Sequence, residues 1–357
     1  MYRNSSISNS SRKRSQLNTA RKKIVGPAVF ICLFLLLFSL LSFNYEKLTS
    51  ADNRAFMRPF EELEHRNPKI LFVGDSHPGN AVSLAELDSN YAVLSQGSDT
   101  IRHMLLKLDY AIKKKPTIQC VVVPLEWHTL SQYRYVNKSF SRDLFYTDNT
   151  HLVRELFDTS LLGYYKEWIG RWVPLILGKS WEKYFLILLG RRDQFDIRWE
   201  AIETKGRVNR ASARLREQLS GQIVREEMVD LLDRFISFCS AKKIKIVGII
   251  YPLSVEYIQL SHEYDIAKLE STYRERNSDF LFVLDYRDLF VGDNEYFTNA
   301  DHLSASGSKV FTRTLRKDIE KRLPLLFKAK AASTNRKRQQ GSTNDSTDAA
   351  LCNSYEP

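Results

Sequence analysis

The chain has 357 residues, 43% of them hydrophobic, with 53 Lys+Arg against 42 Asp+Glu, 14 Gly and 10 Pro, a composition that excludes wholesale disorder and a fibrous repeat. Its formal charge of +11 would point to a nucleic-acid partner only if it lay on a folded face. Instead, residues 1–23 carry seven bases and no acid, residues 328–357 carry five bases and three acids, and only +2 remains for everything between, so no nucleic-acid partner is expected.

The basic leader (1–23) runs into twenty uncharged residues, Ile24 to Phe43 (24–43), enough for a helix to cross the ~30 Å hydrocarbon layer. Positive charge before the span and mixed charge after it (Glu46, Lys47, Asp52, Arg54) predict a single-pass anchor in the cell (inner) membrane. The N-terminus is then cytoplasmic and the main domain periplasmic or extracellular. A cleaved signal peptide is the rival reading, but its apolar core ordinarily runs only about 7–15 residues, and Ser50-Ala51 is a poor cleavage site.

After a linker (44–67), apolar runs of strand length alternate with amphipathic stretches of helix length over residues 68–327. Strands are expected at 70–73, 91–94, 118–123, 244–250 and 280–284, and helices at about 100–114, 224–241, 260–275 and 305–323. That alternation reads as an α/β domain, doubly wound on about five parallel strands, with its site at their carboxyl ends. The stretch 129–220 breaks the rhythm and holds Trp168, Trp172, Trp181 and Trp199. It reads as a helical insertion that buries its aromatics in its own core, walls a glycan or lipid-linked substrate, or touches the membrane surface. The polar tail (328–357) is expected to be disordered. Of the four cysteines, Cys32 lies in the span, while Cys120 on a strand and Cys239 on a helix read as small apolar core residues; no spacing indicates a metal or a disulfide framework.

Two segments carry chemistry. KILFVGDSHPGN (69–80) places Gly74, Asp75, Ser76 and His77 where the first strand ends, so that Ser76 can expose its hydroxyl at the start of a helix. EYFTNADHLSASGSKVFT (295–312) places Asp301 and His302 before a new helix, after the last strand and at the same sheet edge, where His302 can take the Ser76 proton. Each alone also fits a helix cap. A metal-dependent hydrolase using Asp75, His77, Asp301 and His302 lacks any recognisable ligand spacing, and neither metal nor cofactor is expected.

These two segments resemble the first and last blocks of the SGNH, or GDSL, hydrolase superfamily, over about 68–128 and 240–325. The resemblance implies a flavodoxin-like three-layer sandwich, a nucleophile at Ser76 and a base at His302. YAVLSQGS (91–98) looks like the second block, in which Gly97 would lend its N–H to an oxyanion hole. The family usually places Asp three residues before the histidine, where this chain has Asn299, so Asn299 and Asp301 compete for orienting His302. The third-block Asn is replaced around VVVPLEWHTL, which offers Glu126 and His128; His128 is the candidate substitute donor. The architecture is closest to membrane-anchored envelope proteins that O-acylate exopolysaccharides or teichoic acids. This implies a serine acyl-transfer protein acting on a glycan or acylated carbohydrate, with a membrane-bound acyl-donor partner. The alternative is a degenerate SGNH-fold scaffold of an envelope polysaccharide assembly.

Overall fold

The computed structural model of the chain describes residues 6–172, 189 and 198–327. Trp181, almost all of segment 173–197 and the tail 328–357 lie outside the described residues.

Helix α1 (Ser6–Glu64) contains the apolar window Val25–Tyr45, with its large apolar side chains exposed; among the described residues it is the helix long and apolar enough to cross a membrane. The chain divides into two compact units, Met1–Phe56 with Asp158–Gln194, and Met57–Phe157 with Phe195–Pro357.

The larger unit is built on five parallel strands, β1 (Ile70–Gly74), β2 (Tyr91–Ser95), β3 (Cys120–Pro124), β4 (Lys245–Ile250) and β5 (Leu281–Asp285). Their order is β2-β1-β3-β4-β5, the doubly wound flavodoxin-like order. Each lies within a residue or two of its expected place. Every residue of β1 and β3 is buried, which is why both read as unbroken apolar runs rather than alternating ones. The register aligns the strand ends, with Gly74 beside Ser95 and Pro124 beside Ile249, so the following loops emerge at one edge.

Gly74 is required there: its φ is +151°, and a Cβ would fall 2.6 Å from Pro124 Cδ and 2.8 Å from Pro78 Cγ. The chain thus leaves β1 along a path that only glycine takes, straight into helix α2 (Ser76–Ala81).

Helix α3 (Ile101–Lys114) begins with a capping box of Thr100 and His103. Three short helices follow, α4 (Gln132–Tyr135), α5 (Thr150–Phe157) and α6 (Leu161–Trp172), the last in the smaller unit with Leu162, Tyr165, Trp168 and Ile169 exposed. Trp199, in contrast, is wholly buried. Next come α7 (Thr204–Leu219) and α8 (Glu226–Ala241).

The helix expected at 260–275 is instead two, α9 (Val255–Ser261) and α10 (Ile266–Glu275). Asp265 makes the break, accepting from the Lys268 N–H as a new N-cap. Helix α11 (Ala305–Arg322) closes the unit, its Ser304 cap accepting from the Gly307 N–H. Cys120 and Cys239 are free, buried thiols, and burial pushes both well up from the usual thiol range.

Candidate active site

In a sheet of this order the loops diverge between β1 and β3, and Asp75, His77, Glu126 and His128 gather there. Asp75 caps α2, its Oδ1 accepting from the His77 N–H at 3.0 Å, which leaves Ser76 half-buried in the first position of the helix. Across the edge, the chain between β5 and α11 folds back on itself through an antiparallel bridge of Phe297 with Leu303. Thr298 reinforces it by donating from its backbone N–H to the His302 carbonyl at 2.9 Å.

The bridge brings together two side chains 226 positions apart in sequence: His302 Nε2 lies 2.7 Å from Ser76 Oγ. Both competing orienters reach the far side of the ring, with Asp301 Oδ1 and Asn299 Oδ1 each 3.0 Å from His302 Nδ1. They are not equivalent. Asn299 is exposed and neutral, whereas Asp301 is 2% exposed and fixed through its other oxygen, which accepts from Arg214 Nε at 2.9 Å and Gln218 Nε2 at 2.8 Å. The Gln218 amide is itself set by the Tyr257 hydroxyl, which donates to its carbonyl oxygen. A residue next to a histidine ordinarily points elsewhere; two α7 side chains turn this one back.

A second layer lies beneath. His77 is stacked on His302, with centroids 4.7 Å apart and planes 7° from parallel. Its Nδ1 lies 2.8 Å from Glu126 Oε2 and 3.2 Å from Asp75 Oδ1, and its Nε2 lies 3.6 Å from Asp301 Oδ2. Arg134 of α4 donates to Asp75 Oδ2 and lies 2.8 Å from His128 Nε2. His128 is thereby placed inside this buried layer, its Nε2 engaged by Arg134 and Asp75 rather than offered to a substrate oxygen.

Gly97 sits at the same edge, exposed in the turn after β2. That turn is fixed by Ser98 at φ +70°, whose carbonyl accepts from Asn137 Nδ2 at 2.6 Å, and by the buried ion pair of Asp99 with Lys107.

Burial alone would raise Asp75 and Asp301. For Asp75, Arg134, His77 and a hydrogen bond from His128 outweigh it; for Asp301, His302, His77 and Arg214 do. Both carboxyls are held well below the usual range. Burial would lower His77, but Glu126 and Asp75 outweigh it and hold the ring well above the ordinary histidine value. His128, desolvated and beside Arg134, is pushed down from the ordinary histidine value.

Linkage fixes the signs. Asp75 and Asp301 stabilise the fold fully above about pH 4 and lose that contribution as pH falls toward their depressed values. His128 adds to the acid loss, starting near pH 6.5, while His77 contributes fully below about pH 6.5 and less above it. Acid unfolding of the full chain in detergent is therefore expected to set in below about pH 4, and Asp75→Asn to flatten that limb. An unchanged acid limb in the variant would contradict this charge assignment.

Donor atoms of Asp75, His77, Glu126 and His128 lie within 4.8 Å of one another, as do those of His77, Asp301 and His302, spacings that one cation can bridge. In the first group, Arg134 already supplies positive charge against Asp75 and His128.

The structure thus brings Ser76, His302, Asp301 and Asn299 together. Arg134, Arg214 and Gln218 are additions that only the fold reveals: each acts on an aspartate 59 to 87 positions away, and no local pattern marks them.

No family model and no curated protein matches the chain. Among solved structures, it is similar to a GDSL-like lipase from Bacteroides thetaiotaomicron (12% identity, 80% of this chain and 100% of that one, TM-score 0.35). It is also similar to a protein described as a platelet activating factor from Streptococcus pneumonia (13%, 81% and 99%, TM-score 0.35). A third is a protein from Bacteroides fragilis described as an acylhydrolase (11%, 73% and 94%, TM-score 0.35). At these values the chain's own sheet order and site geometry carry the functional reading.

Proposed function

We propose that the chain is a serine esterase or acyl-transfer enzyme working through an acyl-enzyme at Ser76. The single observation that carries this is the relay Ser76–His302–Asp301 at 2.7 and 3.0 Å, with Asp301 buried and ionised. Ser76 Oγ attacks an ester carbonyl carbon while His302 Nε2 takes the hydroxyl proton. The tetrahedral oxyanion is received by backbone N–H groups of Ser76 and Gly97. Collapse expels the alcohol, which leaves with the proton from His302. A second hydroxyl, from water or a sugar, then attacks the acyl-enzyme, giving its proton to His302, and Ser76 recovers it on release.

Anchoring by Val25–Tyr45 and a carbohydrate ester as substrate are parts of the same proposal. The apolar, exposed helix supports the first. For the second, a cavity of about 480 Å³ beside the His302 loop is lined by Tyr296, Thr298, Ser304, Arg198 and Glu200, an aromatic face among groups that pair with hydroxyls. It shares the bridge that holds His302, since Thr298 also bonds the His302 carbonyl.

The test is labelling of the full chain by a serine-directed fluorophosphonate, compared with Ser76→Ala. Labelling that disappears in the variant is expected; equal labelling of both, or none of either, would remove Ser76 as the nucleophile and leave the scaffold reading.

A further inference from the structure

The smaller compact unit joins two distant stretches of chain: Met1–Phe56, which contains the apolar window Val25–Tyr45, and Asp158–Gln194, which contains α6. The large apolar side chains of the window are mostly exposed, but one face toward its C-terminal end is not. Ser42 is 4% exposed there, and Phe38, Leu41 and Tyr45, on successive turns of that face, are partly covered. At a rise of about 1.5 Å per residue, Ser42 lies about 5 Å from the end of the window. Chain that covers a membrane-crossing helix so near its end lies at the depth of the lipid headgroups.

Helix α6, in the stretch that forms a unit with that helix, is turned inside out for a soluble fold. Leu161, Leu162, Tyr165, Trp168 and Ile169 are all exposed, Leu162 by 81%. At about 100° per residue they fall within one arc of about 120°. The covered side holds Tyr164 and Gly170, with Gly163 and Glu167 half-covered. A helix of a soluble domain turns its large apolar stripe inward; here two glycines and a carboxylate face in and the stripe faces out. Tyr165 and Trp168 are the side-chain types that collect at a membrane–water boundary. Exposed Lys166 lies beside the stripe, where its stem can follow the apolar side chains while its amine reaches phosphate.

We propose that α6 is an interfacial helix, lying in the plane of the bilayer with its stripe sunk among the acyl chains of the leaflet at the outer end of the span. The occupant of this face is lipid. The inference rests on the anchoring by Val25–Tyr45 proposed above and goes beyond it: the protein holds the membrane twice, by a span and by a helix remote from it in sequence. A single span leaves the unit attached to it free to tilt; a second attachment at the surface removes that freedom.

The test places the environment-sensitive fluorophore NBD on the full chain through Leu161→Cys, Tyr165→Cys, Lys166→Cys or, within the span, Phe30→Cys. Cys32→Ser and Cys352→Ser clear the background, while the buried thiols of Cys120 and Cys239 stay. Each protein is reconstituted into vesicles of equal parts phosphatidylcholine and phosphatidylglycerol, with or without phosphatidylcholine that carries a nitroxide on its acyl chain. Nitroxide quenching at Leu161 and Tyr165 is expected to exceed that at Lys166 by about threefold, with iodide in the water ranking the positions in reverse.

Quenching at Phe30 with none at Leu161 or Tyr165 would overturn the proposal and leave the anchor standing. Quenching at Leu161 and Tyr165 with none at Phe30 would instead reject the span, and the double hold with it. Quenching at Lys166 equal to that at Tyr165 would reject the in-plane orientation. Shielding of Leu161 and Tyr165 from iodide without nitroxide quenching would put protein on the stripe, a second copy of the chain included, and overturn the proposal.

Discussion

Replacing His302 by Ala is expected to lower the turnover of a simple probe ester such as p-nitrophenyl acetate by about 10⁶, with Ser76→Ala equally damaging and the double variant no worse than either. Non-additivity follows from the geometry: at 2.7 Å the serine and the ring form one proton-transfer unit, and half of it does nothing. Asp301→Asn is expected to cost about 10⁴, because an amide neither fixes the tautomer nor meets the imidazolium charge. Asn299→Ala removes one neutral, exposed acceptor from the same Nδ1 and should cost about tenfold at most. Measuring kcat for the two variants decides between the competing orienters. Equal losses, or a larger one at Asn299, would reverse the assignment of Asp301.

The largest structural effect is expected at Arg134. Its guanidinium is buried against Asp75, a carboxylate held ionised at 2% exposure, so Arg134→Met leaves that charge with its main countercharge gone. Breaking a buried pair from one side costs about 3–5 kcal/mol, which in a domain of this size is a fall in Tm of roughly 10 °C. The double variant Arg134→Met with Asp75→Asn should recover much of the loss, since no charge is then stranded. Thermal unfolding of the full chain in detergent measures both. A loss below about 1 kcal/mol in Arg134→Met would show that Asp75 draws its stabilisation from elsewhere.

The sheet was legible because parallel strands buried on both faces must be continuous apolar runs, and ILFVG and CVVVP are such runs. Ser76 and His302 were legible because doubly wound sheets offer one productive edge, so two motifs following strands at opposite ends of the sequence had a reason to meet. The second layer was not. His77, Glu126 and His128 lie inside or beside the motifs that were read, but a buried histidine and a surface one look alike until burial and partners are known. The break at Asp265 was hidden for a simpler reason: one N-cap inside an amphipathic stretch leaves the apolar period nearly intact.

The stretch from 129 to 220 gains a different meaning from its two arginines. Arg134 enters near its start and Arg214 near its end, and each neutralises an aspartate rooted in the βα scaffold. A trimmed version that spliced the scaffold together across this stretch would therefore keep every reacting group and lose the counterions that let those groups exist underground. The minimal folding unit of this protein is larger than its minimal chemistry.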